Sequence, residues 1–182
     1  LPRILCPLIK SSYGFALTGK CPFLNLSDLV VGETTCDGKK KMFELLAKKI
    51  PTHVMQLPQT QIGPEPLETM HNEMKKLKNV LEKHLEVEIT DEAIGEAISL
   101  LNKERRTLKE LFDLNHAKPA LITGMQLQKI VFQQGFYARR EDRIALVREI
   151  IDEIKEKAAQ GYHVGDGSTP RILLTGTPTG IG

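Results

Sequence analysis

Two kinds of hydrophobic spacing divide the chain. In the first 65 residues short apolar runs are bounded by turn-forming residues, whereas from Glu65 to Gln160 apolar positions recur every three or four residues. The first pattern suits buried strands and the second suits helices with one apolar face. Asp28 to Thr35 (DLVVGETT) is therefore expected to be a buried strand, Cys36-Asp37-Gly38 a turn, and Lys39 to about Lys49 a helix that Pro51 ends. His53 to Leu57 (HVMQL) follows as a second short strand. Strand, helix and strand in so short a span form a βαβ unit, whose right-handed crossover makes the strands parallel. The turn after the first strand then lies at the carboxyl end of the sheet, where α/β proteins bind ligands, and Cys36 occupies it.

In the helical stretch, Leu67, Met70, Met74, Leu77, Val80 and Leu81 form one apolar stripe, and Ile94, Ala97, Ile98 and Leu101 form the next. Thr90, before Asp91-Glu92-Ala93, is an N-cap for the second helix, and Thr123 caps a third running toward Tyr137. A fourth helix, Glu141 to Gln160, places Ile144, Val147, Ile151 and Ile154 on one face and charges on the other, read as solvated surface. Tyr162 to Pro170 (YHVGDGSTP) is a polar, glycine-rich connector and the expected domain boundary. The final RILLTGTPTGIG reads as an apolar strand entering a glycine-rich turn. A second α/β domain is expected to begin near Arg171 and to lie mostly outside this sequence.

Composition narrows the function. With 182 residues and 41% hydrophobic content the chain can bury a core, which excludes disordered and collagen-like classes. No uncharged apolar stretch approaches the roughly 18 to 20 residues of a membrane helix, and LPRILCPLIK lacks the parts of a secretory signal. A cytoplasmic protein with no membrane association is expected. Lys and Arg total 25 against 23 Asp and Glu, and there is no tryptophan, so neither bulk charge nor stacking surface suggests nucleic acid.

Candidate chemistry centres on three cysteines. Cys6, Cys21 and Cys36 are an odd number in a chain without an export signal, so thiol chemistry or metal ligation stands against inert burial. Their spacing is not that of a local C-x-x-C knuckle. GETTCDGKKKM is not a Walker A loop, since Lys39 is followed by Lys40 where Ser or Thr is needed. Lys39, Lys40 and Lys41 oppose the dipole of the helix they begin, which invites an anionic partner such as a thiolate-bound cluster or a coenzyme A phosphate. Gly176, Gly180 and Gly182 do not follow the dinucleotide-binding order, and His53, His71, His84, His116 and His163 show no zinc-hydrolase spacing.

The stretches LCPLIKSSYGFALTGKCPF, SDLVVGETTCDGKKKMFELL and QLPQT resemble the 2-hydroxyacyl-CoA dehydratase and benzoyl-CoA reductase family (2-hydroxyglutaryl-CoA dehydratase D-component-like), which includes the double-cubane cluster reductases. AIGEAISLLNKERRTLKELFDL, ALITGMQLQKIVFQ and RILLTGTPTG are similar to the same family, so the resemblance covers nearly the whole chain. It implies an α/β fold of two Rossmann-like (flavodoxin-like) lobes with a helical segment between them and an iron-sulfur cubane in the cleft. Placed on this chain, residues 1–65 are the cysteine-bearing first lobe and 66–160 the helical segment. Residues 161–170 are the connector, and 171–182 the first strand and turn of the second lobe.

By the same resemblance, Cys6 and Cys36 are first-lobe ligands of a 4Fe-4S cluster, and Cys21 matches the extra cysteine of the double-cubane (8Fe-9S) branch. Thr177 stands where the family commonly has a further cysteine. In the dehydratases an open iron is implied to bind the thioester carbonyl of a 2-hydroxyacyl-CoA. One low-potential electron from a separate ATP-hydrolysing iron-sulfur activator then makes a ketyl radical that eliminates water. The expected partners are that activator, a second homologous subunit or a second copy, and an acyl-CoA substrate. In the double-cubane branch two cubanes share a sulfide and reduce small molecules, which needs more thiolates than the three here. A non-catalytic scaffold or truncated paralogue without a cluster is the reading from a different class.

Overall fold

A computed structural model describes residues 2–173. In chain order the elements are α1 (Pro7–Leu17), α2 (Pro22–Asn25), β1 (Val30–Glu33), α3 (Asp37–Leu46) and β2 (Thr52–Met55), then α4 (Glu65–Leu85), α5 (Asp91–Leu114), α6 (Gly124–Gln134) and α7 (Arg140–Ala159). Among the described residues this is an α/β fold with one parallel strand pair and seven helices. Two compact units are present, Leu1–Ile89 and Thr90–Gly182.

The first unit is built on the expected βαβ motif. β1 and β2 pair in parallel, Val30 opposite Thr52 through Glu33 opposite Met55, with α3 as the crossover. β1 stops at Glu33, short of the expected Thr35, because local polar bonds replace the ladder at its end. The Thr35 N–H donates to the Glu33 carboxylate at 2.7 Å, and the buried Thr34 hydroxyl accepts the Leu57 N–H at 2.9 Å. The second of these bonds ties the outgoing ends of both strands together. Ile9, Met42, Phe43 and Leu46 form the core, with Val30 and Val54 packed against them. At Gly32 a Cβ would lie 2.6 Å from Cε2 of Phe43, so only glycine lets α3 lie this close to β1.

The helices α1 and α2 have no counterpart in the periodicity reading. Both begin with proline, at Pro7 and Pro22, where a missing N–H costs nothing and the fixed φ favours the first turn. The Cys-Pro dipeptides are the signal for them. On α4, Met70, Leu77, Val80 and Leu81 are half-buried as the stripe requires, but Leu67 and Met74 are exposed. What fastens α4 to β2 is polar: the Glu73 carboxylate, 4% exposed, accepts the Gln56 N–H at 2.8 Å and pairs with Lys76 at 2.6 Å.

In the second unit Leu111, Ile122, Leu127, Val147 and Ile151 make the core. Thr90 caps α5 through the Ala93 N–H, and Thr123 with Gln126 forms a full capping box on α6, as their positions require. The stripe read at Ile94, Ala97 and Ile98 is exposed, and the buried face of α5 comes from Glu104, Thr107 and Leu111 further along. The core face of α7 is the expected one, with Ile144, Val147 and Ile151 buried. Its charged side is more than solvated surface. Arg140 and Arg143 reach the buried Glu104 of α5 at 2.5 and 3.6 Å, and Arg148 and Lys155 reach Glu110 at 2.5 and 2.6 Å.

The connector 161–170 is pinned to the loop before α6 by the Val164 N–H on the Ala120 carbonyl at 2.7 Å. Arg171 donates to the carbonyls of Ala117 and Asn115 at 3.0 and 2.5 Å. Residues 171–173 are irregular; the rest of the expected strand, its glycine-rich turn and Thr177 lie outside the described residues. No helix among the described residues is long and apolar enough to cross a membrane.

Candidate functional site at three helix starts

Cys6, Cys21 and Cys36 share one structural role: each is the N-cap residue of a helix, α1, α2 and α3 respectively. The reasons are local. At Cys6 and Cys21 the following proline fixes the first helical residue, and at Cys36 the chain leaves β1 in extended conformation and enters α3 at Asp37. Serine, threonine, aspartate and asparagine are the usual capping residues, because an oxygen side chain binds the first-turn N–H groups. Cysteine is a weaker acceptor than these oxygens, and at Cys6 and Cys36 the side chain makes no cap bond.

The three sulfurs are not equivalent. Cys6 and Cys36 are exposed, unpaired thiols with no side-chain cap bond. Cys21 is half-buried, and its Sγ accepts the Leu24 N–H at 3.5 Å, a cap for the single turn of α2. The starts of α1 and α3 are also neighbours. A Cβ at Gly38 would lie 3.1 Å from Leu5, 3.5 Å from Ile9 and 3.6 Å from Cys36 Sγ, so the residues flanking Cys6 stand over the first turn of α3. A side chain at Gly38 would press against Leu5.

Below Cys36 the turn is held rigidly. Lys39 pairs with Glu33 across the strand-to-helix junction and also donates to the Thr35 hydroxyl at 3.4 Å. Lys40 pairs with Asp37 at 3.2 Å and Lys41 with Glu44 at 2.7 Å, holding the Glu44 carboxyl below its ordinary value. Each lysine of the KKK run thus has an acid of its own chain, which offsets part of its cost at the helix start. Sequence reasoning missed this bracing because it weighed the lysines against the helix dipole and not against Glu33, Asp37 and Glu44.

Among the described residues no three His, Cys, Asp or Glu side chains gather in a group able to hold a metal ion. The donor chemistry nonetheless suits a thiolate-ligated cluster in part: two exposed, unengaged sulfurs on adjoining helix starts, where first-turn N–H groups lack intrahelical acceptors and favour a negative ligand. These residues fit a partial ligand set.

Comparison with known proteins agrees with the sequence motifs. The chain is 44% identical over 182 residues to YjiM of Escherichia coli (strain K12), which is named as a dehydratase subunit, covering 99% of this chain and 46% of that protein. It is 26% identical over 157 residues to the (R)-phenyllactyl-CoA dehydratase beta subunit of Clostridium sporogenes, covering 85% of this chain and 41% of the relative. It is 24% identical over 176 residues to the lactoyl-CoA dehydratase subunit beta of Anaerotignum propionicum, covering 97% and 45%. The chain therefore spans somewhat under half the length of these relatives. The family model described as 2-hydroxyglutaryl-CoA dehydratase, D-component, matches residues 1–182, and the chain belongs to that family.

Proposed function

We propose that this chain supplies first-lobe thiolates to an iron-sulfur component of a 2-hydroxyacyl-CoA dehydratase. The observation that carries this reading is the pair of exposed, unengaged thiols at Cys6 and Cys36, capping adjoining helices in a member of a dehydratase family. When bound, a cubane with one open iron supplies a one-electron reductant and a site for the thioester carbonyl.

The chain's own residues would do the rest by positioning. Cys6 and Cys36 hold the group, and the first turns of α1 and α3 present N–H groups to its negative charge. The Glu33–Lys39 pair and the Thr34 bond to Leu57 keep Cys36 from moving with respect to the sheet. The missing side chain at Gly38 lets Leu5 and Ile9 pack close to Cys36 over the first turn of α3. Cys21, already bonded to its own helix start, is outside the single-cubane ligand set and becomes a ligand only in the double-cubane alternative.

The proposed partners are an ATP-hydrolysing iron-sulfur activator and a homologous subunit, consistent with relatives named as subunits. The proposed setting is the cytoplasm. The test is an anaerobic assay of the complete protein with such an activator, ATP, a strong reductant and a 2-hydroxyacyl-CoA. Formation of the corresponding enoyl-CoA, lost on Cys36→Ser, is the expected outcome. Reduction of small molecules without dehydration would move the chain to the double-cubane branch. A protein inert in both assays would favour the scaffold reading, which the lack of a three-ligand group among the described residues keeps open.

A further inference from the structure

The second unit contains a cavity that the dehydratase reading does not use. It lies between α6 and α7, has a volume of about 700 Å³, and falls inside the roughly 300–1,000 Å³ range of small-ligand sites. Its floor is Ile122, Ile130, Ile150 and Ile154. Ile122 is 3% exposed and belongs to the core, and the other three pack against that core, so the floor is preformed.

One end is set by the way α7 stops. The Gly161 N–H bonds the Ala158 carbonyl and the Tyr162 N–H bonds the Lys157 carbonyl, with Gly161 at φ +89°, the geometry of a glycine-terminated helix end. That reversal sets Tyr162 on the cavity wall. At the other end the trough continues into a smaller hollow that shares Ile130, Gln133 and Ile150 and adds Phe136 and Leu146.

The lips are charged unequally. α6 contributes Lys129, for which no ion pair is found among the described residues, and α7 contributes Lys157 and Glu153, paired with each other at 2.5 Å. One positive charge therefore remains over an aliphatic floor. We propose that this trough binds a small amphipathic anion, an aliphatic carboxylate whose chain lies on the isoleucine floor and whose head group meets Lys129. A carboxylate head group neutralises the Lys129 ammonium, which a purely apolar occupant would cover without a partner.

Equilibrium dialysis of the complete protein with decanoate, and with decanamide as the uncharged isostere, tests this. The expected result is one saturable decanoate site per chain and binding of decanamide weaker by about tenfold, the worth of one charge-assisted hydrogen bond. Lys129→Gln should reduce decanoate binding to the level of decanamide, and Ile130→Glu should abolish both while circular dichroism shows the helices intact. Equal binding of the two probes, or binding unaltered by either substitution, would overturn the proposal. So would a wild-type dimer that Ile130→Glu converts to a monomer, since a second copy would then cover the trough. Because the site shares no residue with the cysteine region, its failure leaves the dehydratase reading untouched, and the reverse also holds.

Discussion

The ring of Phe43 occupies the space in which a side chain at Gly32 would stand, with Cε2 2.6 Å from the position of a Cβ. Phe43 is 8% exposed and sits in the core between α3 and the sheet, so the ring cannot swing away. Gly32→Ala should destabilise the first unit by about 1–3 kcal/mol, the usual cost of overpacking. Urea unfolding checks this, and the double variant with Phe43→Leu should recover part of the loss.

Glu104 is 6% exposed and receives Arg140 and Arg143 from α7. Replacing its charge by Glu104→Gln weakens two charge-assisted contacts and leaves the arginines half-compensated. A loss of about 1–3 kcal/mol in the stability of the second unit is expected. Removing Lys109, whose partner Asp113 lies on the same exposed helix face, should change stability by less than about 1 kcal/mol. Equal effects from the two substitutions would contradict the assignment of Glu104 to the α5–α7 seam.

Glu73 carries a pH dependence with a definite sign. The hydrogen bond from Lys76, followed by the one from the Gln56 N–H, holds its carboxyl below the ordinary glutamate value. A folded-state pKa below the unfolded one means that the stabilisation is fully present above about pH 4.3, the ordinary glutamate value, and is lost as pH falls through the lower folded value. The stability difference between wild type and Glu73→Gln should be constant from neutral pH down to that point and shrink below it. Denaturant titrations across the acid range measure it.

Thr123 closes a reciprocal capping box with Gln126 at the start of α6. Thr123→Ala removes the acceptor for the Gln126 N–H and should cost about 1 kcal/mol. Thr123→Ser keeps the oxygen and should cost a small fraction of that in the same thermal unfolding experiment.

Much of this architecture was legible in the chain. The strand pair, the crossover helix and the caps at Thr90 and Thr123 follow from apolar runs and capping residues, because those signals are local. The buried face of α5 was not legible, since Glu104 and Thr107 are polar residues buried only because Arg140, Arg143 and Arg148 reach across from α7. Helices α1 and α2 escaped for another reason: α1 has apolar residues on more than one side, with Leu8 and Phe15 exposed and Ile9 buried, so it shows no clean period. Near Cys36 the expected turn at Cys36-Asp37-Gly38 is one residue at Cys36, because α3 already begins at Asp37. That Cys6 and Cys36 cap adjoining helices is a tertiary fact that spacing along the chain does not contain.

The central claim, that Cys6 and Cys36 are cluster ligands, is tested most directly by iron and acid-labile sulfide content of the complete protein isolated without oxygen, beside its Cys6→Ser, Cys36→Ser and Cys21→Ser variants. About four irons per chain, the content of one cubane, are expected in the wild type and in Cys21→Ser, with loss in the other two variants. Wild-type protein without iron or sulfide, or Cys6→Ser and Cys36→Ser variants that keep the full complement, would contradict the account.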